Sequence, residues 1–293
     1  MVVMGSMWGL QFSMLKFAAL SGLGEINLLM VTLVLLALVF SGYVILKGES
    51  LRYSREWVLF LFVIAFLGYV APLGVTLFVA PHITVGALSM IACLAPVVTI
   101  LLALLYRSEP VSRARKIALL LGLISVMLIL WPELQLPELG STGWMLAALG
   151  IPLAYGIEPI LVDTRWPRGM TSSQLVAGEA IAAVIIILPL FLMQDDPIHF
   201  DISRSTAAWP LVVFVLAGIV ETLLYFQLIK TTGGVFVSFG TFVSLIAGVT
   251  WGMLLFSERH GIYVWLAILF LLGALYLACK GLRASEAAQK RNS

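Results

Sequence analysis

Residues 77–109 read "LFVAPHITVGALSMIACLAPVVTILLALLYRSE", and residues 226–258 read "FQLIKTTGGVFVSFGTFVSLIAGVTWGMLLFSE". The two stretches align at a shift of 149 positions, from 77 to 226, and each ends in an apolar run followed by Ser-Glu. The Trp-Gly pair at residues 8–9 likewise lies over the Tyr-Gly pair at residues 155–156, at a shift of 147. Internal symmetry of this kind predicts a chain made of two related halves.

The composition places both halves in a membrane. Apolar residues make up 61% of the chain and charged residues only 11%, and the mean hydropathy is +1.09, values far from those of a soluble domain. The net charge of +2 is too small to indicate a nucleic-acid partner. The cysteines, Cys93 and Cys279, each lie inside an apolar segment, which argues against a disulfide framework or a metal site.

Apolar stretches long enough to cross the hydrocarbon core as helix, about 20 residues, recur along the whole chain. They predict an all-α membrane protein with ten transmembrane helices, at residues 1–21, 27–46, 56–79, 83–105, 116–131, 143–163, 172–193, 207–229, 232–256 and 261–281. The first stretch is interpreted as a span and not as a signal peptide, because it lacks a basic beginning and carries Lys16.

The distribution of basic residues predicts the orientation. The connections after spans 2, 4, 6 and 8 and the C-terminal tail hold 14 Lys and Arg, counting Lys116 and Lys280 at the adjoining span ends, whereas the opposite side holds 2. The positive-inside rule therefore places both termini in the cytoplasm. Because each half has five spans, the halves have opposite orientations: residues 1–131 form the first repeat, residues 143–281 the inverted second repeat, and residues 282–293 a cytoplasmic tail. Inverted repeats are typical of transporters with a binding site near the midplane.

The opening motif "WGLQFSMLK", residues 8–16, resembles the beginning of EamA-type members of the drug/metabolite transporter superfamily. The stretch from Ala80 to Glu109, including Pro96, and its copy ending at Glu258 resemble the same family. The resemblance implies ten helices in two inverted halves, and many such proteins export small metabolites such as amino acids.

The predicted function is a secondary transporter in the cytoplasmic (inner) membrane of a bacterium, exporting small amphipathic metabolites, foremost amino acids or related compounds, by alternating access. The alternative is a multidrug or organic-cation efflux transporter of the same superfamily. No GxxxxGK[ST] motif is present, so transport would follow the substrate gradient, an exchange partner or protons. The expected partners are a small-molecule substrate and the lipid bilayer, with no nucleic acid, cofactor or metal.

An intramembrane enzyme or a receptor-like membrane protein is the competing class. The three histidines, His82, His199 and His260, lie in or beside predicted loops, and the sequence has no HExxH, no GxSxG and no paired carboxylates at helical spacing within one span. The sequence therefore disfavours an enzyme, and the inverted repeat disfavours a receptor.

Lys16 is the only basic residue well inside a predicted span. It lies about five residues, or roughly 7 Å, from the outer end of span 1, so its side chain can extend to the headgroups. Alternatively it faces a central cavity near the outer mouth, attracting an anionic group or pairing with an acid. The sequence leaves both interpretations open.

Glu221 lies in the middle of span 8, nine positions from the nearest charged residue. A charged carboxylate at the bilayer centre costs about 2.5 to 3.5 kcal/mol, so such groups tend to face a cavity, pair or protonate. Tyr225 lies one turn further on the same face. Glu158, beside Pro159 in span 6, is predicted either to line the cavity or to reach the inner interface. The remaining acids of this kind are expected to be solvated or capping residues: Glu109, Asp163, Glu179 and Glu258.

Aromatic and small polar residues on spans 1, 3, 4, 6 and 9 complete the predicted site. The aromatics could wall a cavity or anchor the protein in lipid, and the small residues could pack helices or touch substrate. The predicted substrate-binding residues are Trp8, Gln11, Phe12, Lys16, Tyr69, Phe78, Ser89, Tyr155, Glu158, Glu221, Tyr225, Ser238, Thr241 and Phe242. Gly5 and Gly9 form a GxxxG pair that predicts close contact with another helix.

Overall fold

A computed structural model gives the fold of the chain. It describes residues 1–20, 25–51, 53–83, 88, 91–106, 112–134, 141–193, 208–259 and 261–292. Of the residues discussed above, Ser89, Glu109, His199 and His260 lie outside the described residues. Every regular element within the described ranges is helical, as the apolar composition predicts.

The helices follow the predicted spans along the chain. They are α1 (Val2–Ala19), α2 (Glu25–Leu46), α3 (Arg55–Val79), α4 (Ala95–Tyr106), α5 (Arg113–Leu134), α6 (Ser141–Ala148 and Gly150–Arg165), α7 (Ser172–Leu192), α8 (Ala208–Thr232), α9 (Gly234–Ser238 and Gly240–Phe256) and α10 (Ile262–Asn292).

Within the described residues, seven helices are long and apolar enough to cross a bilayer: α2, α3, α6, α7, α8, α9 and α10. The first six coincide with a predicted span to within a few residues. The apolar part of α10, Ile262–Lys280, coincides with the last predicted span, but the helix continues to Asn292, through residues predicted as a tail. Helices α1, α4 and α5 also fall on predicted spans, but they are not among these seven. The all-helical, membrane-spanning class is therefore supported, and the number of ten spans stays a prediction.

Several helix ends follow from local chemistry. The Ser54 side chain accepts a hydrogen bond from a backbone N–H in the first turn of α3. Thr171 and Gln174 form a reciprocal capping box at the start of α7. Gly233, at φ +83°, separates α8 from α9, a conformation that glycine adopts without steric cost. The left-handed Ser257, at φ +55°, ends α9.

The helices pack in pairs across the molecule. Helix α1 packs against α8 and α9, and α6 packs against α3 and α4. Helix α2 packs against α7, and α5 against α10. One hydrophobic core joins α1, α2, α3, α6, α7 and α8, and a second joins α4, α5, α9 and α10. The first core surrounds the cavity described below.

Glycines allow the closest helix contacts. Gly9 of α1 lies against α9, where a Cβ at residue 9 would come within 2.5 Å of the Ser244 carbonyl oxygen and 2.8 Å of the Gly248 amide nitrogen. Gly156 of α6 lies in the same way against α4, where a Cβ would come within 2.9 Å of the Ala95 carbonyl oxygen. A side chain at either position would force backbone apart.

Gly9→Ala is therefore expected to lower the free energy of unfolding by about 1 to 3 kcal/mol, the usual cost of overpacking. The measurement is the unfolding midpoint of the purified protein in detergent. Gly42→Ala is the matched control, because Gly42 also lies within a helix but a Cβ there would meet nothing within 4 Å. Both changes gain the same helix propensity. Equal midpoints for the two variants would contradict the close contact between α1 and α9.

Candidate functional site

A polar cavity lies where α1, α3, α6, α7 and α8 meet, and we call it the central cavity. Its volume is about 50 Å³, room for a few water molecules. It is lined by Trp8, Gln11, Gly68, Tyr69, Leu73, Tyr155, Glu158, Glu179, Phe214, Glu221, Thr222, Tyr225 and Phe226. Polar side chains that converge beside several aromatic rings are typical of a ligand site.

Seven of the residues predicted from the sequence come together here, although they come from four different helices. They are Trp8, Gln11, Tyr69, Tyr155, Glu158, Glu221 and Tyr225. The convergence follows from the packing of α1 and α6 against α3 and α8.

Other predicted residues lie elsewhere. Phe12 is buried in the first core, and Phe242 is buried in the second core, where its ring fills the space beside Gly122. Phe78 is 51% exposed, because it lies on a face of α3 that no neighbouring helix covers among the described residues. None of these three lines the central cavity.

The small polar residues of α9 are also placed away from the cavity. The Ser238 hydroxyl donates to the Val235 carbonyl oxygen at 2.9 Å, and the Thr241 hydroxyl donates to the Ser238 carbonyl oxygen at 2.9 Å. Both side chains are buried. Each hydroxyl therefore donates to a backbone carbonyl of α9 itself. This favours a role in helix packing over contact with substrate.

A π-helical turn, Phe66–Val70, interrupts α3 at the level of the cavity. Pro72 follows two residues later and lacks the N–H that would bond the Gly68 carbonyl in a regular α-helix. Such turns frequently occur at functional sites. Here the turn places Gly68 and Tyr69 in the cavity wall. Helical periodicity in the sequence does not predict this π-helical turn.

Glu179 of α7 is the second feature that sequence reasoning missed. It was expected to be a solvated or capping residue, but its side chain is only 2% exposed and lines the cavity. It fits because residue 68 has no side chain: a Cβ at Gly68 would lie 2.5 Å from Glu179 Oε1. Position relative to the end of a span does not reveal which face of α7 carries the residue.

Glu158 and Tyr225 form a direct link between α6 and α8. The Tyr225 hydroxyl donates a hydrogen bond to Glu158 Oε2, and Glu158 is 3% exposed. The other oxygen, Oε1, is buried without a hydrogen-bond partner among the described residues. Of the two interpretations of Glu158, the structure supports the cavity-lining one.

Tyr69, Thr222 and Glu221 form a second hydrogen-bonded chain. Thr222 Oγ1 donates to Glu221 Oε2 at 3.1 Å, and the Tyr69 hydroxyl oxygen lies 3.2 Å from Thr222 Oγ1. A threonine hydroxyl has a single hydrogen, so Tyr69 is the donor in the second bond. These two hydrogen bonds hold one carboxyl oxygen of Glu221, a residue that lines the cavity, in a fixed position.

Three rings form part of the cavity wall. Trp8 packs edge-on against Tyr155, with ring centroids 4.9 Å apart, and against Tyr225 at 6.5 Å. Edge-to-face pairs of this kind stabilise by about 0.5 to 1.5 kcal/mol beyond their buried area. The contacts hold α1, α6 and α8 together around the carboxyl groups.

The acidic and basic side chains among the described lining residues of the cavity are all glutamates. Glu158, Glu179 and Glu221 lie close enough to interact electrostatically with one another, and Lys, Arg and His are absent from the lining residues that the structure describes. Within the described ranges, no group of three or more His, Cys, Asp or Glu is arranged to hold a metal ion. The chemistry of the cavity is that of buried acceptors surrounded by aromatic rings.

Lys16 lies beyond the cavity, at the end of α1. Its Nζ is 3.6 Å from Glu258 Oε1, and both side chains are 17% exposed. The ammonium also lies 5.1 Å from the Phe256 ring centroid, and Phe17 stacks on Phe256 with centroids 4.4 Å apart. Lys16 therefore pairs with an acid, one of the expected roles, but it does not line the central cavity; Glu258 is its partner and not a solvated acid.

A larger groove, about 940 Å³, lies between α3, α4 and α6. Its lining is mainly aliphatic and aromatic, including Leu59, which is 72% exposed, while Glu56, Arg165 and Arg168 stand among its polar residues. It shares no lining residue with the central cavity. The groove lacks a buried polar cluster, so the central cavity is the better candidate site.

Comparison with known proteins agrees with the sequence motif. Residues 1–131 match the model of the EamA-like transporter family. The chain is similar to Protein PecM of Dickeya dadantii (strain 3937), with 22% identity over 240 residues, or 81% of this chain and 78% of PecM. A solved crystal structure matches with a TM-score of 0.69 at 16% identity, covering 97% of both chains; at this identity it supports the fold alone. The resemblance recognised at residues 8–16 is confirmed for the first half.

Proposed function

We propose, because residues 1–131 match the model of the EamA-like transporter family, that the protein is a secondary transporter whose substrate binds in the central cavity. The protein is a multi-pass membrane protein of a transporter family. We place it in the cytoplasmic membrane of a bacterium, where it exports small amphipathic metabolites by alternating access. Amino acids and related compounds are the class implied by the family resemblance. The central cavity, formed by helices of both halves, is the observation that carries the proposal.

Equivalent contacts in the two halves support an inverted repeat. The shift of 147 that aligned the aromatic-Gly pairs carries Gly9 onto Gly156, and the shift of 149 carries Ala95 onto Ser244. In the structure Gly9 lies against the Ser244 carbonyl, and Gly156 lies against the Ala95 carbonyl. A pseudo-two-fold axis would exchange these two contacts.

The pairs of helices that pack together also correspond between the two halves. The contacts of α1 with α8 and α9 correspond to those of α6 with α3 and α4. The pairs α2 with α7 and α5 with α10 each join equivalent helices of the two halves. With ten spans, the central cavity would lie beside the axis, where rocking of one half against the other opens it to either side.

The proposed topology predicts the labelling of two positions. With 14 Lys and Arg on one side and 2 on the other, a cysteine at Ser112 should react from the cytoplasm and a cysteine at Ser141 from outside. The measurement uses a membrane-impermeant maleimide on cells and on inverted vesicles, with Cys93 and Cys279 replaced by alanine. Reaction of both positions from the same side would contradict the five-plus-five arrangement.

The small volume of the central cavity requires a conformational step. A volume of about 50 Å³ does not accommodate an amino acid, so the helices around it must separate to load substrate. The proposed topology places the Lys16–Glu258 pair at the outer end of α1 and α9. Opening toward the outside would break this pair and the stacking of Phe17 on Phe256.

Transport by the purified protein tests the function. Proteoliposomes are supplied with labelled amino acids, amines and organic cations, with and without a pH gradient. We expect saturable uptake of at least one class above that of empty liposomes, and dependence on the pH gradient would identify proton antiport. No uptake of any compound in either condition would contradict the proposed function.

A further inference from the structure

The central cavity combines acidic groups from three helices. Glu158 lies on α6, Glu179 on α7 and Glu221 on α8. The first two are nearly completely buried, at 3% and 2% exposed. No lining residue described by the structure supplies a compensating positive charge. Ionised groups in such a setting are stabilised by a positive charge that enters with a ligand.

The hydrogen bonds leave one acceptor ready for a donor from that ligand. Tyr225 occupies Oε2 of Glu158 and Thr222 occupies Oε2 of Glu221. Glu158 Oε1 is buried and has no partner among the described residues. A buried acceptor without a donor is destabilising. An ammonium group carries three N–H donors and would relieve that destabilisation.

The aromatic wall suits the same kind of group. Trp8, Tyr155 and Tyr225 contact one another within the cavity lining. Aromatic faces attract cations and also accommodate the apolar part of an amphipathic molecule. The wall and the carboxyl groups together therefore match an apolar body that carries one positively charged nitrogen.

We propose that the central cavity selects amines that lack a carboxylate, and that free amino acids are its poorer ligands. This inference rests on the proposed function and narrows its substrate class. A zwitterionic amino acid brings a carboxylate into a small cavity that already holds Glu158, Glu179 and Glu221 and offers no described cation. Neighbouring carboxylates repel one another, and no basic side chain among the described lining residues is present to pair with the ligand carboxylate. The decarboxylated amine keeps the ammonium and the side chain and avoids that repulsion.

Matched pairs of ligands test the inference. Binding to the full-length protein in detergent is measured by calorimetry for 2-phenylethylamine against phenylalanine, tryptamine against tryptophan, and 3-methylbutylamine against leucine. Each pair differs only by the carboxylate. We expect at least one amine to bind, and each binding amine to have a Kd at least about tenfold lower than that of its amino acid. Equal or tighter binding of the amino acids, or no binding of any amine, would overturn the inference.

Variants connect the selectivity to the cavity. Glu158→Gln should weaken amine binding at least about tenfold, whereas Glu56→Gln, an exposed acid at the start of α3, should leave it unchanged. If Glu158→Gln fails to fold, Glu158→Asp, which keeps the charge but shortens the side chain, replaces it with the same expectation. Parent-like amine binding in the folded variant would overturn the assignment. Tighter binding and uptake of amino acids would refute the inference alone, whereas absence of all transport would refute the proposed function.

Discussion

Glu221→Gln is expected to reduce substrate accumulation in proteoliposomes at least about tenfold. Glutamine keeps the shape of the side chain and can still accept the hydrogen bond that Thr222 donates to Glu221, but it carries no charge and binds no proton. If Glu221 carries protons, accumulation driven by a gradient fails while exchange of bound substrate persists. If it pairs with a substrate ammonium, binding itself weakens by about 1.5 to 3 kcal/mol, the range for a hydrogen bond to a charged group.

Comparing net accumulation with exchange separates these two roles of Glu221. The control is again Glu56→Gln, because Glu56 is exposed and lies outside the central cavity. Parent-like transport and binding by Glu221→Gln would contradict a functional role. The carboxyl would then serve only as the acceptor of the hydrogen bond that Thr222 donates within α8.

Tyr225→Phe is expected to weaken substrate binding about 5- to 150-fold, which corresponds to about 1 to 3 kcal/mol. The variant keeps the ring that packs against Trp8 and removes only the hydroxyl that donates to Glu158. Both oxygens of Glu158 then lack a protein donor in the described structure, so the carboxyl is no longer held in position for a ligand. The measurement is the Kd of a transported substrate in detergent.

Tyr276→Phe is the matched control for the Tyr225 variant. Tyr276 is 68% exposed on α10, away from the central cavity, and loses the same hydroxyl. We expect its substrate affinity to equal that of the parent. Unchanged affinity in Tyr225→Phe as well would mean that the hydrogen bond to Glu158 does not position the binding site.

Features that depend on composition and spacing were predictable from the sequence. The apolar run and capping pair at Thr171 and Gln174 fit a helix that begins at Ser172, within the predicted span 172–193. Glu221 was identified because a carboxylate in mid-span is costly unless it faces a cavity or a partner. Tyr225 was identified with it because residues four apart share a helix face.

Features that depend on which face of a helix lies against its neighbours were not predictable from the sequence. The short distance of Glu179 from the span end predicts a solvated or capping residue, but the face of α7 that carries Glu179 lies against Gly68. The π turn rotates Gly68 and Tyr69 relative to a regular helix, and periodicity does not reveal such a turn. Phe78 was included as an aromatic near the repeat, yet it lies on an exposed face of α3.

Alternating access requires that the central cavity opens to each side of the membrane in turn, and the accessibility of a cysteine in the cavity measures this directly. Leu73 lines the cavity with an apolar side chain that makes no hydrogen bond, so Leu73→Cys is placed in a background with Cys93 and Cys279 replaced by alanine and is first shown to transport. A membrane-impermeant thiosulfonate is applied to right-side-out and to inverted vesicles, with and without substrate. We expect reaction from both sides, slowed by substrate in both orientations. Reaction from one side only, or from neither, would contradict alternating access.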